Sequence, residues 1–324
     1  MDLIKTLSHP LLIVLLALMP MTGCKTNEAT GRSQLSFLSW EDEVRLGNEA
    51  APEFLEQGGG QLPDEQVLSY VRDLGNRLAA ESEMPDIEWE FHVLDSQVIN
   101  AFALPGGKVF MSRGLMAKMT NEAQLAGVLG HEIGHVTARH GNERMSQAML
   151  AQGALLAIGV AGAVSDEEWM QVLGVGTAVG GQLFLLKYSR ANESEADKLG
   201  VRYMTRVGYN PVGQVQVMEI LKAASGGGGG PEWLSTHPAP ETRIQELEQL
   251  IRRQYPAYDS DPPTYVFRAA EFKKNVLEPL SKLPPAKHGA SAFIGPDKIE
   301  QVAGITWEQA THRGCACHGS AISK

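Results

Sequence analysis

The sequence predicts an α+β fold that is mostly helical, with a small sheet beside one central helix. Several segments carry apolar residues at the three- and four-residue spacing of an amphipathic helix, whereas two short segments alternate apolar and polar residues, as strands do. The chain has 324 residues, of which 43% are hydrophobic and 20% are charged. This length and composition are typical of a globular protein with a substantial core.

The overall charge narrows the classes of partner. The formal net charge at pH 7 is -10. A nucleic-acid-binding surface needs a concentration of Lys and Arg side chains, so we expect no nucleic-acid partner. An acidic balance remains compatible with peptide substrates.

Residues 1–23 are predicted to be a lipoprotein signal peptide. The apolar run over residues 11–18 is too short to anchor the chain as a membrane-spanning helix. Small residues precede Cys24, as in signals that are cut before a cysteine that receives a lipid, although Met21 stands where leucine is usual. The alternative is an ordinary secretory signal with an incidental cysteine. If Cys24 carries a lipid, Lys25 indicates the outer membrane by the usual sorting pattern of bacterial lipoproteins.

Four elements are predicted in the first third of the chain. The charge pattern of residues 40–54 suits a helix, and the apolar spacing of residues 64–80 predicts a second one. Residues 88–94 alternate around aromatic side chains and residues 108–112 follow a Pro-Gly-Gly turn, so both are predicted strands. Residues 24–39 are polar and are predicted to be a tether.

The central helix is predicted over residues 121–140. Asn121 can cap its first turn, with Gln124 as the reciprocal partner of a capping box. Two weakly apolar stretches rich in Gly and Ala follow, at residues 148–164 and 170–187. They are interpreted as a buried helical pair or, alternatively, as helices that dip into lipid or cover the functional site.

The last part of the chain is divided by glycines and prolines. Five glycines at residues 226–230 predict a flexible loop, and residues 241–253 have the apolar spacing of an amphipathic helix. Prolines become frequent after that helix. We therefore expect one domain over residues 40–258 and a separate C-terminal tail of unknown role over residues 259–324.

His131-Glu132-Ile133-Gly134-His135 is the most informative segment of the chain. Residues at positions i and i+4 of a helix share a face, so the two imidazoles can bind one Zn²⁺ through nitrogen. Glu132 stands beside the first imidazole, where it can take a proton from a water molecule that attacks a carbonyl. The motif alone carries a real false-positive risk, so its partners matter.

A catalytic zinc needs a third protein ligand and an open position for water. The candidate segment covers residues 189–197, where Glu193 and Asp197 face the same way if the segment is helical. Glu193 could bind the metal while Asp197 orients a ligand histidine from behind. Glu195 points elsewhere, by about 200° of helix rotation. Spacing alone leaves open the alternative of a solvated acidic face.

Taken together, these segments resemble the gluzincin zinc metallopeptidase family that includes the CAAX prenyl proteases, HtpX, the Oma-type proteases and the BepA-like and LoiP-like lipoprotein proteases. The matching pieces occur in the family's order between residues 35 and 255. They are residues 100–107, 130–136, 140, 189–197 and 235–238.

The resemblance implies a zincin-like metalloprotease core over the predicted domain, with one Zn²⁺ per chain. It implies His131, His135 and Glu193 as zinc ligands and Glu132 as the general base. It implies Asp197 as a side chain that supports a ligand histidine from behind. The enzyme class that follows is a metalloendopeptidase.

Two further histidines are candidates with open roles. His140 is five residues after His135, so it lies off the ligand face; it is either a support for the ligands or a structural or surface residue. In BepA-like relatives the histidine equivalent to His237 can fill the open zinc position as a switch, or it acts near the oxyanion. We assign His237 a catalytic role, because Pro238 fixes the chain beside it; the alternative is a surface loop histidine.

Asn100, Ala101, Phe102 and Ala103 are expected to form an edge segment that binds substrate beside the cleft. An extended peptide can add to such an edge through main-chain hydrogen bonds, which tolerate many side chains. Misfolded chains expose extended segments. The resemblance therefore suggests quality control of misfolded or misassembled cell-envelope proteins by an enzyme held at the periplasmic face of the outer membrane.

Cys315 and Cys317 lie close to His312 and His318 in the tail. Their spacing excludes the CxxCH pattern of a c-type haem. A bound metal, a labile disulfide and free thiols stay open as alternatives, and an oxidising compartment favours pairing. The tail lacks the helical repeats of BepA-like proteins. Docking onto envelope assembly machinery through such repeats is therefore left open.

Two other functions remain as alternatives to the protease. One is a chaperone-like binding protein that holds clients in the same cleft with little turnover. The other is a degenerate site that keeps a metal only for stability, against which the presence of Glu132 argues.

Overall fold

The computed structural model describes residues 24–159, 187–225, 231–237 and 241–286. The predicted signal peptide, residues 160–186 of the apolar stretches, the glycine loop, Pro238 and residues 287–324, which include Cys315 and Cys317, lie outside the described residues, so the predictions for them stay predictions.

The segment predicted to be a tether contains a β-hairpin. Strands β1 (Cys24–Thr26) and β2 (Ser33–Leu35) pair antiparallel. Asn27 accepts two backbone hydrogen bonds within the turn, and its amide group donates to the carbonyl of Thr137 at 3.0 Å. The segment predicted to be a tether over residues 24–39 is therefore an ordered hairpin, which Asn27 and Arg32 join to the domain while β1 stays exposed.

Two capped helices follow the hairpin. Helix α1 (Trp40–Gln57) begins at a capping box between Ser39 and Asp42, which satisfies amide groups that have no partner inside the helix. It runs three residues beyond the predicted end at residue 54. Helix α2 (Glu65–Ala79) has Asp64 as its N-cap and buries its apolar face, as predicted.

The sheet beside these helices has three strands, β3 (Glu90–Leu94), β4 (Ala101–Leu104) and β5 (Lys108–Ser112). The strand order is β3-β5-β4, with β3 parallel and β4 antiparallel to β5. Among the described residues, β4 lies at an edge of this sheet. The chain leaves β5 directly into the single-turn helix α3 (Arg113–Met116).

The central helix α4 (Glu122–Thr137) is buried along its whole length. The side chain of Asn121 caps it by accepting the amide hydrogen of Gln124 at 3.0 Å, as predicted. The predicted return bond is absent among the described contacts. The side-chain oxygen of Gln124 instead accepts the amide hydrogen of Thr120 at 2.7 Å, so the capping box is only half formed.

Helix α4 ends at Thr137, three residues before the predicted end. Arg139 adopts a left-handed backbone conformation with φ of 53°, and its guanidinium is held by Glu43 and the carbonyl of Leu38. A new helix, α5 (His140–Gly159), starts immediately afterwards. The contacts of Arg139 thus stabilise a backbone conformation that separates two helices, where the sequence pattern predicts one.

The described part of the first Gly/Ala-rich stretch continues α5 to Gly159. Within the ranges that the structure describes, no helix combines the length and the apolar character needed to cross a bilayer.

Helix α6 (Arg190–Arg206) packs closely along α4. A Cβ atom at Gly130 would lie 3.0 Å from the carbonyl oxygen of Gly200, and one at Gly134 would lie 3.0 Å from that of Ala196. These contacts are tight for a side chain, so the two glycines of α4 allow the backbones to approach. The approach brings the acidic first turns of α6 beside the two motif histidines.

Three further helices cover this pair: α7 (Val212–Ala224), the short α8 (Trp233–Thr236) and α9 (Glu241–Gln254). Helix α7 packs on α4, and α9 packs on both α6 and α7. The predicted amphipathic helix over residues 241–253 corresponds to α9. These contacts close the larger of two hydrophobic clusters in the described chain, the one that surrounds α4.

The predicted boundary after residue 258 does not separate two structural units in the described chain. Phe272 and Val276 are fully buried in the same core as α4, and Val266 forms a bridge with Tyr209. This proline-rich segment therefore packs on the domain, because the few apolar side chains of the segment are buried against the core of the domain. The helical elements of this segment are a 3₁₀ turn (Pro256–Asp259), α10 (Ala269–Phe272), a π turn (Lys273–Leu277) and α11 (Glu278–Lys282).

The predicted fold class is confirmed. The chain is an α+β protein dominated by helices, with a small sheet beside the helix that carries the HExxH motif.

Candidate metal centre

The two motif histidines lie on one face of α4, as the i, i+4 spacing requires. The Nε2 atoms of His131 and His135 are 3.0 Å apart, and each residue is 2% exposed. Two nitrogens at 2.0–2.1 Å from one tetrahedral ion would be separated by about 3.3 Å. The pair is therefore spaced to share one ion.

Glu193 approaches the same point from the first turn of α6. Its carboxylate oxygens lie 3.7 Å from Nε2 of His131 and 3.5 Å from Nε2 of His135. Ser189 and Asn192 form a capping box that fixes where α6 begins. The start of the helix and its close packing on α4 together aim Glu193 at the histidine pair.

His237 follows α8 and completes the cluster. Its ring stacks on Trp233 with 4.2 Å between centroids, and its Nδ1 faces the Trp233 carbonyl and the Thr236 hydroxyl at 3.1 and 2.9 Å. This leaves Nε2 directed at the site, 3.9 Å from Glu193 and 3.8 Å from Glu132. The structure therefore places His237 in the interior rather than in a surface loop.

The donor set suits a divalent cation. One ligand atom from each of His131, His135, Glu193 and His237 lies within 4.8 Å of the others. Among the described residues, Oε1 of Glu193, Nε2 of His237 and both carboxylate oxygens of Glu132 are buried without a hydrogen-bond partner. Unpaired buried polar atoms are rare, and imidazole nitrogen with carboxylate oxygen is a ligand set of zinc. The residues present fit a zinc ion.

Asp197 lies behind His131, with 3.0 Å between its Oδ1 and Nδ1 of the histidine. Arg243 of α9 donates to both oxygens of Asp197 at 2.7 and 2.6 Å and to Glu193 at 2.5 Å, while Gln214 donates to Asp197 at 2.9 Å. Burial alone would raise the pKa of Asp197, but Arg243 and His131 hold that pKa below its usual range. Asp197 is therefore a charged acceptor that can orient His131.

Glu132 occupies a buried position beside β4. Burial raises its pKa to about 8, against the smaller opposing effects of Trp233, Arg243 and the Ala103 backbone. Its oxygens have no partner of hydrogen-bond geometry among the described residues, so they remain available. The raised pKa makes the Glu132 carboxylate a stronger base than an exposed one.

His140 is fully buried, which contradicts the surface alternative. Its Nδ1 lies 3.0 Å from Nδ1 of His135, and its Nε2 lies 3.1 Å from Glu195. The break after α4 turns the start of α5 back toward the histidine pair, so a residue off the helical ligand face still reaches a candidate ligand. Glu195 points away from the cluster, as its helical position requires.

The predicted substrate segment lies at the sheet edge, but its side chains have other uses. Phe102 is 6% exposed and its ring stacks on Phe110, with 4.9 Å between centroids. Ala101 is buried, and the backbone of Asn100 exchanges hydrogen bonds with Ser112. Any substrate contact by this segment, including Ala103, would use mainly the main chain of β4.

Several residues of the site escaped sequence reasoning. Tyr188 stacks on His135 with 3.9 Å between centroids, and the guanidinium of Arg144 lies 4.0 Å from the centre of the Tyr188 ring. Tyr188 directly precedes the matching segment at residue 189, which was an available signal. Trp233 and Arg243 gave no signal, because each contacts the site through the packing of helices far apart in the chain.

Comparison with known proteins identifies the family. The sequence profile of peptidase family M48 matches residues 65–251. The β-barrel assembly-enhancing protease of Escherichia coli (strain K12) is 32% identical over 235 residues, which are 70% of this chain and 47% of that protein. The protease of the same name from Yersinia pestis is 30% identical over 249 residues, 73% of this chain and 49% of that protein.

A eukaryotic relative is similar to the same extent. The mitochondrial metalloendopeptidase OMA1 of Schizosaccharomyces pombe is 31% identical over 225 residues, 68% of this chain and 65% of that protein. The chain thus spans about half the length of the two bacterial relatives and less than two thirds of the yeast one. These matches confirm the predicted resemblance and the metallopeptidase class, and the chain belongs to peptidase family M48.

Proposed function

We propose that this protein is a zinc-dependent endopeptidase that hydrolyses peptide bonds in misfolded or misassembled proteins of the bacterial cell envelope. The observation that carries the proposal is the convergence of His131, His135 and Glu193 from two packed helices beside the unpaired carboxylate of Glu132. Family membership and relatives named as proteases support the reaction.

In this proposal His131, His135 and Glu193 hold one zinc ion. When bound, zinc supplies a Lewis acid that polarises the scissile carbonyl and makes water more acidic. The carboxylate of Glu132 takes the proton of the attacking water and later delivers it to the leaving amine. Asp197 and Arg243 keep two of the ligands oriented while this happens.

His237 has two roles that its position supports. Stacking on Trp233 and the contacts of Nδ1 orient its ring, so Nε2 faces the donor cluster. It either fills a fourth metal position through an unprotonated Nε2 until substrate displaces it, or, as the tautomer protonated at Nε2, donates a hydrogen bond to the oxyanion that forms during hydrolysis. Both roles place it within reach of the reacting atoms.

The substrate class follows from the edge of the sheet. The main chain of β4 lies beside Glu132 and can pair with an extended peptide. Main-chain pairing depends on few side chains of the substrate. It therefore suits substrate proteins that have only an exposed extended segment in common. The envelope location rests on the predicted signal peptide over residues 1–23 and on the bacterial relatives named for β-barrel assembly.

The test is metal content measured together with proteolysis. We expect the protein beginning at residue 24 to carry about one zinc per chain and to cleave unfolded casein. A strong chelator should abolish cleavage, and Zn²⁺ should restore it. Inductively coupled plasma spectrometry and release of labelled peptides provide the two measurements. Purified protein that binds no zinc would overturn the proposal.

The same assay separates the chaperone-like alternative. If the zinc-loaded protein cleaves nothing, even when His237 is replaced by Ala, but suppresses aggregation of an unfolded client, then the binding function is favoured. Cleavage that depends on zinc excludes it as the main activity.

Cys24→Ser is expected to release the protein from the membrane fraction. Cys24 is an exposed free cysteine, and acyl chains add about 0.8 kcal/mol of membrane affinity for each buried CH₂ group. Labelled palmitate incorporation and fractionation of cells provide the measurement. Thr26→Ser, at an exposed position of the same strand, is the matched control and should stay lipid-bound. Equal membrane association of both variants would disprove the lipid anchor.

A further inference from the structure

The two histidines of the motif are supported in different ways. Nδ1 of His131 faces the carboxylate of Asp197 directly, at 3.0 Å. Nδ1 of His135 faces another imidazole, Nδ1 of His140, at the same distance. Two ring nitrogens in contact must share one proton, so one ring donates and the other accepts.

The direction of this bond is set by the rest of the chain of contacts. His135 can offer a lone pair at Nε2 only if its Nδ1 carries the proton. The N–H group at Nδ1 of His135 then donates a hydrogen bond, which Nδ1 of His140 accepts. His140 consequently carries its own proton at Nε2, where it donates to Glu195 at 3.1 Å. The carboxylate of Glu195 is an acceptor of the required kind.

Glu195 is held in turn by the N-terminal hairpin. Nε of Arg32, the residue immediately before β2, donates to its two oxygens at 2.9 and 3.2 Å. The two terminal nitrogens of the same guanidinium donate to Glu143 at 2.7 and 2.6 Å. Arginine stays protonated at any physiological pH and presents donors in a fixed planar arrangement, so it holds Glu195 as an anion.

We propose that Arg32 is a positioning residue for the metal centre, acting through Glu195 and His140 to keep His135 in the tautomer that binds zinc through Nε2. The hairpin, previously expected to be a mere tether, is therefore part of the machinery that prepares the site. This inference rests on the proposed zinc site. It assigns to the segment next to Cys24 a role in metal affinity that neither the motif nor the ligand set contains.

A double-mutant cycle on zinc affinity tests the inference. Outer partners of a ligand histidine typically contribute roughly 10- to 100-fold to metal affinity, so we expect a loss in that range for Glu195→Ala. Arg32→Ala should lose less, and the loss in the double variant should be smaller than the two single losses combined, because Arg32 acts on the metal centre through Glu195. The zinc Kd is measured by chelator competition, and the visible spectrum of the Co²⁺ form reports ligand geometry.

Controls separate positioning from folding. Arg45→Ala removes an exposed arginine that pairs with Asp42, and it should leave the zinc Kd unchanged. Arg32→Lys retains a charge beside Glu195 and should recover part of the affinity. Melting of the metal-free proteins shows whether any variant is unfolded, in which case Arg32→Lys and the Co²⁺ spectrum carry the test.

The outcomes distinguish this inference from the function on which it rests. If wild-type protein binds no zinc, the proposed function fails. If wild-type protein binds zinc and cleaves casein, but Arg32→Ala and Glu195→Ala bind zinc as tightly as wild type, only the positioning role fails. Losses that add in the double variant would likewise contradict it, since Arg32 and Glu195 would then act independently.

Discussion

Glu132→Gln is expected to reduce kcat/KM for peptide hydrolysis by about 10²- to 10⁴-fold while zinc stays bound. Glutamine has nearly the same shape but cannot take the proton of the attacking water. Glutamine keeps an oxygen that can face Trp233 and the Ala103 backbone as Glu132 does, so we expect the fold to be retained. Cleavage of labelled casein and zinc content, measured on the same preparation, give the result.

The control for this variant is Glu219→Gln, at an exposed position on α7. It should retain full activity and full zinc content. Near wild-type hydrolysis by Glu132→Gln would show that another group acts as the base. Loss of zinc would show that Glu132 belongs to the metal site itself. An inactive variant that still binds unfolded casein would also serve to trap substrates for identification.

Glu193→Gln is expected to cost more zinc affinity than the roughly 10- to 100-fold typical of losing an outer partner, and to abolish hydrolysis with it. The change removes the only anionic donor in the cluster of four found among the described residues. It also removes the charge that faces Arg243 at 2.5 Å, leaving that buried guanidinium with Asp197 as its carboxylate partner. Competition with a chelator measures the zinc Kd, and added Zn²⁺ tests whether activity can be recovered.

Glu246→Gln, at an exposed position of α9, is the matched control and should bind zinc as wild type does. If Glu193→Gln instead binds zinc at wild-type affinity, the three histidines of the cluster suffice and Glu193 is not a ligand. Since Arg243 is expected to lose contacts as well, melting of the metal-free variant is needed to exclude unfolding as the cause of zinc loss.

Sequence reasoning was most successful where the relevant contacts are local. Asn121 caps α4 as predicted, and the helix predicted over residues 64–80 begins directly after its N-cap Asp64, because a side chain at this position reaches amide groups two or three residues ahead. The two predicted strands were found for a similar reason. The strand at residues 90–94 lies within the predicted range, and the strand at residues 108–112 matches it. Alternation of side chains along a strand is a property of its own backbone.

The errors share a cause. The tether became a hairpin because Asn27 and Arg32 bind partners more than 100 residues away. The described part of the predicted tail, residues 259–286, belongs to the domain because Phe272 and Val276 pack against α2 and α4. The central helix stopped early because Arg139 is held by Glu43. Each outcome depends on a contact between distant segments, which neither composition nor periodicity reports.

The sequence by itself determined that His131 and His135 share one face of a helix, because 3.6 residues per turn dictate that neighbour relation. Only the tertiary structure decided which other side chains meet them. The close approach of α4 and α6 at Gly130 and Gly134 brings Glu193 to the pair. Packing of the other helices and of the N-terminal hairpin adds His237, Arg243 and the contacts from His140 through Glu195 to Arg32. The physical reason is that spacing along a chain sets directions within one element, whereas convergence on a single point requires several elements to pack together.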